Sequence, residues 1–307
     1  MKVILAKPRG FCAGVGRAIG MVELALKTHQ PPVYVRKEIV HNRFVVEDLK
    51  QRGAVFVEET AEVPEGAVLV FSAHGVAPGV WEETKARNIE VIDATCPLVT
   101  KVHLEVRRFL DEGCELILIG HAGHEEVVGT MGEAPGKIRL VTSAREAAEV
   151  AISTPEKLAV ITQTTLSTSD ATEIIQVLRK RFPRLRTPAS DDICYATRSR
   201  QQAVLMLAHS APVVLVVGAP NSSNSKRLQE VAQGAGAKAY LINHSREVDW
   251  AWFEGVDAVG ITAGASAPDS LVRELVNLII RRYGGTIEEI EAVPESVQFR
   301  IPGESGN

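Results

Sequence analysis

Three of the four cysteines in the 307-residue chain stand where a strand-like run gives way to a helix-like one: Cys12 in "KPRGFCAGVGRA", Cys96 in "DATCPLV" and Cys194 in "DDICYATRSR". Taken singly, each reads as a small buried residue or as a nucleophile made more acidic by a helix N-terminus. Their separations, 84 and 98 residues, exclude the compact cysteine run of ferredoxin-type electron transfer. One cysteine at the equivalent loop of each of three repeated units would instead converge on one point. Three thiolates there suit a cubane 4Fe-4S cluster with one iron left open, and zinc with three sulfurs is the competing metal. An open iron implies chemistry on a substrate and is prone to oxidative loss, so a 3Fe-4S form is also expected. Cys114 differs: it directly precedes "ELILIG" and reads as a core residue.

His41 ("EIVHN"), His74 ("FSAHGVAP") and His124 ("GHAGHEE") occupy strand-to-helix loops, as do Ser222 and Asn224 ("GAPNSSNS") and Ser266 ("TAGASAP"). A single histidine there is usually a structural hydrogen-bonder. Three in matching loops, with hydroxyl and amide groups, read as convergent donors. With helix N-termini behind them they would hold a phosphate or diphosphate without Lys or Arg. Protonated histidine would supply the positive charge, so affinity for that anion is expected to fall as pH rises through the histidine range. Glu126 is the candidate proton donor, and its neighbour Glu125 reads as a solvated helix-start carboxylate. Thr164 of "TQTTLS" offers a hydroxyl to position a substrate hydroxyl or relay a proton. His103 and Glu105 read as an exposed helix face, and His29, His209 and His244 have no comparable company. "GVGRAIG" misses the G-x-G-x-x-G dinucleotide fingerprint by one residue, with Arg36 placed to meet a 2′-phosphate. Its glycines read better as room for the backbone to approach the cluster.

The elements that position these residues alternate apolar, β-branched runs with longer amphipathic stretches. Runs 3–6, 33–35, 68–73, 91–94, 116–120, 158–162, 213–218 and 258–262 read as strands. Stretches 16–28, 43–52, 98–112, 170–182, 197–209, 225–235 and 269–283 read as helices. This order argues for α/β units with small, mainly parallel sheets, whose ligands sit beyond the carboxyl ends of the strands. The polar loops recur along the chain. Three related units follow, 13–97, 98–195 and 196–281, the third joined by the N-terminal strand 1–12, with 282–307 as a C-terminal arm ending in a frayed "GESGN". The expected fold is a pseudo-threefold, trefoil-like arrangement of α/β units around a central iron-sulfur cluster.

At 45% hydrophobic residues, the chain can build its cores without external staples. A net charge of −4 argues against a general nucleic-acid binder and leaves an anionic substrate to local donors. No apolar run approaches the roughly 18–20 residues of a membrane span. The apolar run before Lys7 is too short for a secretory leader. The chain is expected in the cytoplasm as a monomer, with no membrane or nucleic-acid partner, and its dispersed cysteines do not suggest a disulfide framework.

From "PRGFCAGV" through "EIVHN", "SAHGV", "DATCPLV", "GHAGHEEVVGT", "TQTTLS", "DDICYAT" and "NSSNS" to "TAGASAP", the ordered motifs resemble the 4-hydroxy-3-methylbut-2-enyl diphosphate reductase family (IspH/LytB) over essentially the whole chain. The resemblance implies an iron-sulfur oxidoreductase that takes the last step of the non-mevalonate (methylerythritol phosphate) isoprenoid pathway. Its reaction is the reductive dehydroxylation of (E)-4-hydroxy-3-methylbut-2-enyl diphosphate to isopentenyl diphosphate and dimethylallyl diphosphate. It also implies Cys12, Cys96 and Cys194 as ligands of a 4Fe-4S cluster whose open iron binds the substrate hydroxyl. His41, His74, His124, Ser222, Ser223, Asn224 and Ser266 would form the diphosphate pocket, Thr164 would meet the hydroxyl, and Glu126 would supply the proton. Ferredoxin or flavodoxin would donate electrons. Two positions depart from the family pattern: Glu125 stands where proline is common, and Gly16 where aspartate is frequent. Beside this reading stand a non-redox iron-sulfur hydro-lyase, an NADP-dependent Rossmann oxidoreductase and an iron-sulfur sensor, the last without a basic stripe or helix-turn-helix signal.

Overall fold

The structure, a computed structural model, describes residues 1–303; the frayed end expected beyond them lies outside the described residues. The chain opens with β1 (Lys2–Lys7) and α1 (Ala13–Thr28). Next come β2 (Val33–Arg36), α2 (Arg43–Gln51), β3 (Ala54–Val57), β4 (Val68–Phe71), α3 (Pro78–Ala86) and β5 (Glu90–Asp93). The middle of the chain forms α4 (Pro97–Asp111), β6 (Glu115–Ile119), α5 (Glu125–Met131), β7 (Ile138–Val141), α6 (Ala144–Glu149), β8 (Leu158–Thr162) and α7 (Thr168–Arg181). It ends with α8 (Tyr195–Ser210), β9 (Val213–Val217), α9 (Ser223–Gly234), β10 (Lys238–Ile242), β11 (Ala258–Ala263), α10 (Asp269–Tyr283) and β12 (Thr286–Glu291).

These strands form three small sheets, ordered β3-β2-β4-β5, β7-β6-β8 and β10-β9-β11-β1-β12, with every pairing parallel. One motif underlies all three. The first strand of the unit is central, the second lies at an edge, and the third pairs on the other side of the first. What pairs next to that third strand varies: β5 on β4, β1 on β11, and beside β8, among the described residues, the parallel bridge between Ala159 and Arg186. After each of these the chain runs on to a cysteine. The α/β class with three small parallel sheets is thus realised in the described residues.

Parallel sheets need helical crossovers and so are covered on both faces, which is why their central strands are apolar throughout. In β9, Val213, Leu215 and Val217 pack with Val272, Leu275 and Ile279 of α10. The alternate residues Val214 and Val216 pack with Leu207 of α8 and Leu228 of α9. In β6, Ile117 and Ile119 meet Ile174 and Leu178 of α7, while Leu116 and Leu118 meet Val102 and Val106 of α4 and Val127 of α5. The period of two in a strand sorts each side chain to its face.

The chain resolves into two compact bodies. One comprises Met1–Val15, His41–Val45 and Tyr195–Gln298; the other comprises Gly16–Val40, Val46–Cys194 and the described residues from Phe299 on. The first holds the sheet built on β9, the second the other two sheets. Gly14, Gly16 and Gly20 all lie inside α1, so the glycine-rich turn of a dinucleotide site is not formed. The glycine that a turn requires is Gly10, at φ +68°. Among the described residues, no helix is long and apolar enough to cross a membrane.

Candidate active site

Each proposed cysteine immediately precedes a helix: Cys12 before α1, Cys96 before α4 and Cys194 before α8. The same backbone bond recurs at all three. The N–H of Cys12 donates to Ala265 O (3.2 Å), that of Cys96 to Ala73 O (3.0 Å) and that of Cys194 to Thr164 O (3.1 Å). Each accepting loop leaves the third strand of its unit, and each carries a candidate polar residue at or next to the acceptor: Ser266, His74 and Thr164. No cysteine is in a disulfide, and these three are half-buried whereas Cys114 is buried. Cys114 lies in the core beside Val102 and Leu116, 3.3 Å from Arg186 Nη1, as a core residue should. A half-buried sulfur at a helix N-terminus is a donor of the kind that suits a soft metal or an iron-sulfur cluster.

In the first body, the loop ahead of Cys12 is pinned by Arg200, which is fully buried. Its Nε and Nη2 donate to Gly10 O at 3.2 and 2.8 Å, and its Nη1 pairs with Glu295 at 2.5 Å. Ser266 Oγ donates to His41 O at 2.9 Å, and Asn221 Nδ2 lies 3.5 Å from His41 Nδ1. Ser222 caps α9, accepting from Ser225 N at 3.3 Å and from Ser225 Oγ at 3.1 Å. A Cβ at Gly218 or Gly264 would collide with Ser225 Oγ, so glycine at both positions lets this helix start enter so closely. Asn224 is buried, and its Nδ2 has no hydrogen-bond partner among the described residues. Ser223 is half-buried at the first position of α9. This body therefore brings Cys12, His41, Ser222, Ser223, Asn224 and Ser266 onto adjoining loops.

The second body gathers His74, Cys96, His124, Glu126, Thr164 and Cys194. His74 Nδ1 lies 3.1 Å from Glu125 and 3.3 Å from Ser72 Oγ, and its ring meets that of His124 edge-on at 5.8 Å. Glu125 is thus a histidine partner rather than a solvated carboxylate. His124 caps α5 by accepting the Glu126 N–H at 3.2 Å. Glu126 is buried and accepts from Thr164 N at 2.6 Å and Thr164 Oγ1 at 2.8 Å. Burial pushes its carboxyl up to about 7, against the opposing pull of the two Thr164 bonds and the charge of His103. Asp192 accepts from Thr162 N and pairs with Lys101, both at 3.1 Å. Burial lifts it to about 6, with Lys101 opposing.

Several residues of this arrangement carry no signal in spacing alone. Gln163 orients the "GHAGHEE" loop, accepting the His121 N–H at 2.9 Å, and Asn221 and Asp192 act through the partners just named. His103 is a correction. It sits on α4 but is only 7% exposed, because Glu133 draws its ring inward with Nδ1 at 2.7 Å. The apolar period of α4 places it one step from the buried Val102, which was the available clue.

The sequence model described as LytB protein matches residues 3–280. A 4-hydroxy-3-methylbut-2-enyl diphosphate reductase of Acidothermus cellulolyticus is 55% identical over 304 residues, 99% of this chain and 89% of that protein. One from Edwardsiella ictaluri is 54% identical over 308 residues, 99% of this chain and 97% of that protein. The solved E-1-hydroxy-2-methyl-but-2-enyl-4-diphosphate reductase of Plasmodium falciparum superposes with a TM-score of 0.95 at 37% identity, covering 98% of this chain and 95% of that one.

Proposed function

The chain belongs to the LytB family and is an oxidoreductase, and on that premise we propose that it reductively dehydroxylates (E)-4-hydroxy-3-methylbut-2-enyl diphosphate. The allylic alcohol, two electrons and two protons give water and either isopentenyl or dimethylallyl diphosphate. Cys12, Cys96 and Cys194 would hold a 4Fe-4S cluster, one from each of three related units (13–97 and 98–195, which end in Cys96 and Cys194, and 196–281, to which the N-terminal strand 1–12 brings Cys12). When bound, that cluster supplies the electrons and a Lewis-acid iron. Ferredoxin or flavodoxin is the proposed donor, the cytoplasm the proposed setting, and the monomer the proposed working form.

The observation that carries this reading is Thr164. Its hydroxyl and N–H both bind Glu126, and its carbonyl accepts from Cys194 N–H, so one residue ties an acid to a cysteine loop. A carboxyl that titrates near 7 is half-protonated at neutral pH, where a general acid serves best. Glu126 would hold the proton that leaves with the oxygen as water, and Thr164 Oγ1 would align the departing hydroxyl. His41, His74, His124, Ser222, Ser223, Asn224 and Ser266 would bind the diphosphate. Its binding energy would fix the carbon–oxygen bond in place without taking part in its cleavage.

The test is turnover by anaerobically purified protein, with iron and sulfide measured, given the diphosphate substrate and a reduced viologen dye. Dye oxidation with formation of both five-carbon diphosphates is expected. No turnover at full iron content would overturn the reading.

A further inference from the structure

In front of each proposed cluster cysteine, loop oxygens accept from a cation on the helix that a different cysteine opens. Arg17 stands on α1, five residues after Cys12. Its Nη1 donates to Thr95 O at 3.0 Å, the carbonyl just ahead of Cys96. Lys101 stands on α4, five residues after Cys96. Its Nζ donates to Ser190 O and Asp191 O, both at 2.9 Å, and pairs with Asp192 at 3.1 Å, on the approach to Cys194. Arg200 stands on α8, six residues after Cys194. Its two bonds to Gly10 O hold the carbonyl two residues ahead of Cys12.

The assignment is cyclic. The Cys12 helix serves the Cys96 loop, the Cys96 helix serves the Cys194 loop, and the Cys194 helix serves the Cys12 loop. Each bond lies inside one body: Arg17 and Lys101 with their acceptors in the second, Arg200 with Gly10 in the first. Helix stability does not account for these cations. All three stand in the second turn of their helices, toward the end where the helix dipole disfavours positive charge. Donor chemistry follows acceptor geometry. An ammonium carries three donors, and Lys101 meets oxygens of three successive residues. A guanidinium is a planar fork, and Arg200 sets Nε and Nη2 on one carbonyl while Nη1 meets Glu295. Two of these contacts are anchored in turn: Arg17 Nε donates to Arg300 O at 3.2 Å, and Asp192 accepts from Thr162 N at 3.1 Å.

We infer that Arg17, Lys101 and Arg200 position the three cysteines in turn, so that the cluster site is assembled as a cycle of mutual supports and not one ligand at a time. A hydrogen bond from a charged donor is among the stronger single contacts in a protein. Here each one fixes the backbone within four residues of a sulfur. The helix that carries the cation passes the restraint on as a rigid element. The consequence is crosswise. Loss of Arg17 frees Cys96, loss of Lys101 frees Cys194 and loss of Arg200 frees Cys12, while the cysteine that opens the affected helix keeps its place. All three cations act through the loops they hold and are positioning residues.

The inference rests on the proposed cluster reading, and the test separates the two. Full-length wild type, R17Q, R17K, K101M, K101R and R200K are purified anaerobically, with iron and sulfide measured. Each is exposed to a ferrous-iron chelator and excess iodoacetamide, and peptide mass spectrometry follows the labelling of each cysteine. Iron loss is expected to run about 10–100-fold faster in R17Q and K101M, the scale of one lost hydrogen bond to a charged group. Cys96 should label first in R17Q and Cys194 first in K101M. R17K and K101R, which keep the charge and a donor, should return close to wild type. R200K should not, because lysine lacks the fork that sets two N–H groups on Gly10 O, and Cys12 should label first in it. Wild-type rates in R17Q and K101M would overturn the inference. So would first labelling of the cysteine that opens the altered helix, or equal acceleration at all three. Wild type that takes up no iron would take the cluster reading down. Labelling of the metal-free full-length chains would then decide the positioning roles by the same order of cysteines.

Discussion

The body that carries Cys12 brings Ser222, Ser223, Asn224 and Ser266 with one histidine, His41, whereas the body that carries Cys96 and Cys194 brings His74, His124, Glu125, Glu126 and Asp192. The first set is mostly hydroxyl and amide groups, whose charge no physiological pH changes. The second is almost all titratable. Its two buried carboxyls are pushed up, Glu126 to about 7 and Asp192 to about 6. On the proposed function, one body would hold the diphosphate, and the other would hold it and move protons. The same cysteine loop recurs in both bodies, so the proposed difference in task would be written into a few loop residues.

The largest expected effect is shared by both bodies. Replacing Cys12, Cys96 or Cys194 with serine should abolish turnover and strip the iron-sulfur absorbance, while Cys114→Ala should keep both. Retention of full iron by any of the three serine variants would break the equivalence of the loops. Next comes Glu126→Gln, which should cut turnover by about 10²–10⁴-fold, the range for a lost general acid. Because the donating form is the protonated one, wild-type turnover should fall as pH rises above about 7. That limb should vanish in the variant, and its persistence would reassign the proton donor.

The first body should answer differently. Asn224→Ala or Ser266→Ala should raise KM by about tenfold per lost hydrogen bond, with kcat nearly unchanged and no new pH dependence. A collapse of kcat instead would place these groups in the chemistry. The smallest effect concerns stability. A buried acid whose folded pKa is raised stabilises the fold below its unfolded value, and loses that contribution as pH rises through the folded one. Glu126→Gln should therefore match wild type near pH 4, below the ordinary carboxyl value. Its unfolding midpoint in denaturant should correspond to a gain of up to about 3 kcal/mol at pH 8. An equal difference at both pH values would mean that Glu126 ionises freely in the folded protein.

Much of this was legible in the sequence because the central strands are buried on both faces and so read as unbroken apolar runs. β1, β6, β9 and β11 stand out for that reason, as does β8, an edge strand whose residues are nonetheless all buried. The strands that stayed hidden are β3, β7 and β10, each at a sheet edge, where one flank is solvated. "IRLV" and "KAYLI" carry charge or mix polarity there, as edges do. The tail reads as a final strand or arm at "VPESVQFRIP", whereas its ordered strand is the preceding "TIEEIE". Its acidic groups face Lys2 and Lys7 along β1 in exposed pairs worth little individually. α5 escaped for another reason. It spans only Glu125–Met131, too few turns to show a period, and its buried face is polar. The same inversion hid His103: a stripe that looks hydrophilic in sequence reads as solvent-facing until its partners are in view. Glu126 was found by its neighbours in the motif, since burial of a carboxylate leaves no mark in composition.

The position of β1 has a consequence for how the protein is made. This strand is made before every other strand of the described residues, and it lies between β11 and β12 in its sheet. Neither neighbour exists until Ala258 and then Glu291 have been synthesised. At about 5–20 residues per second, β1 waits tens of seconds for a template. Glu295, which braces Arg200 under the Cys12 loop, arrives later still. A nascent chain can thus fold the sheets of β2–β5 and β6–β8 while its first cysteine has no fixed place. A chain truncated ahead of Glu295 would expose a defect at the opposite terminus.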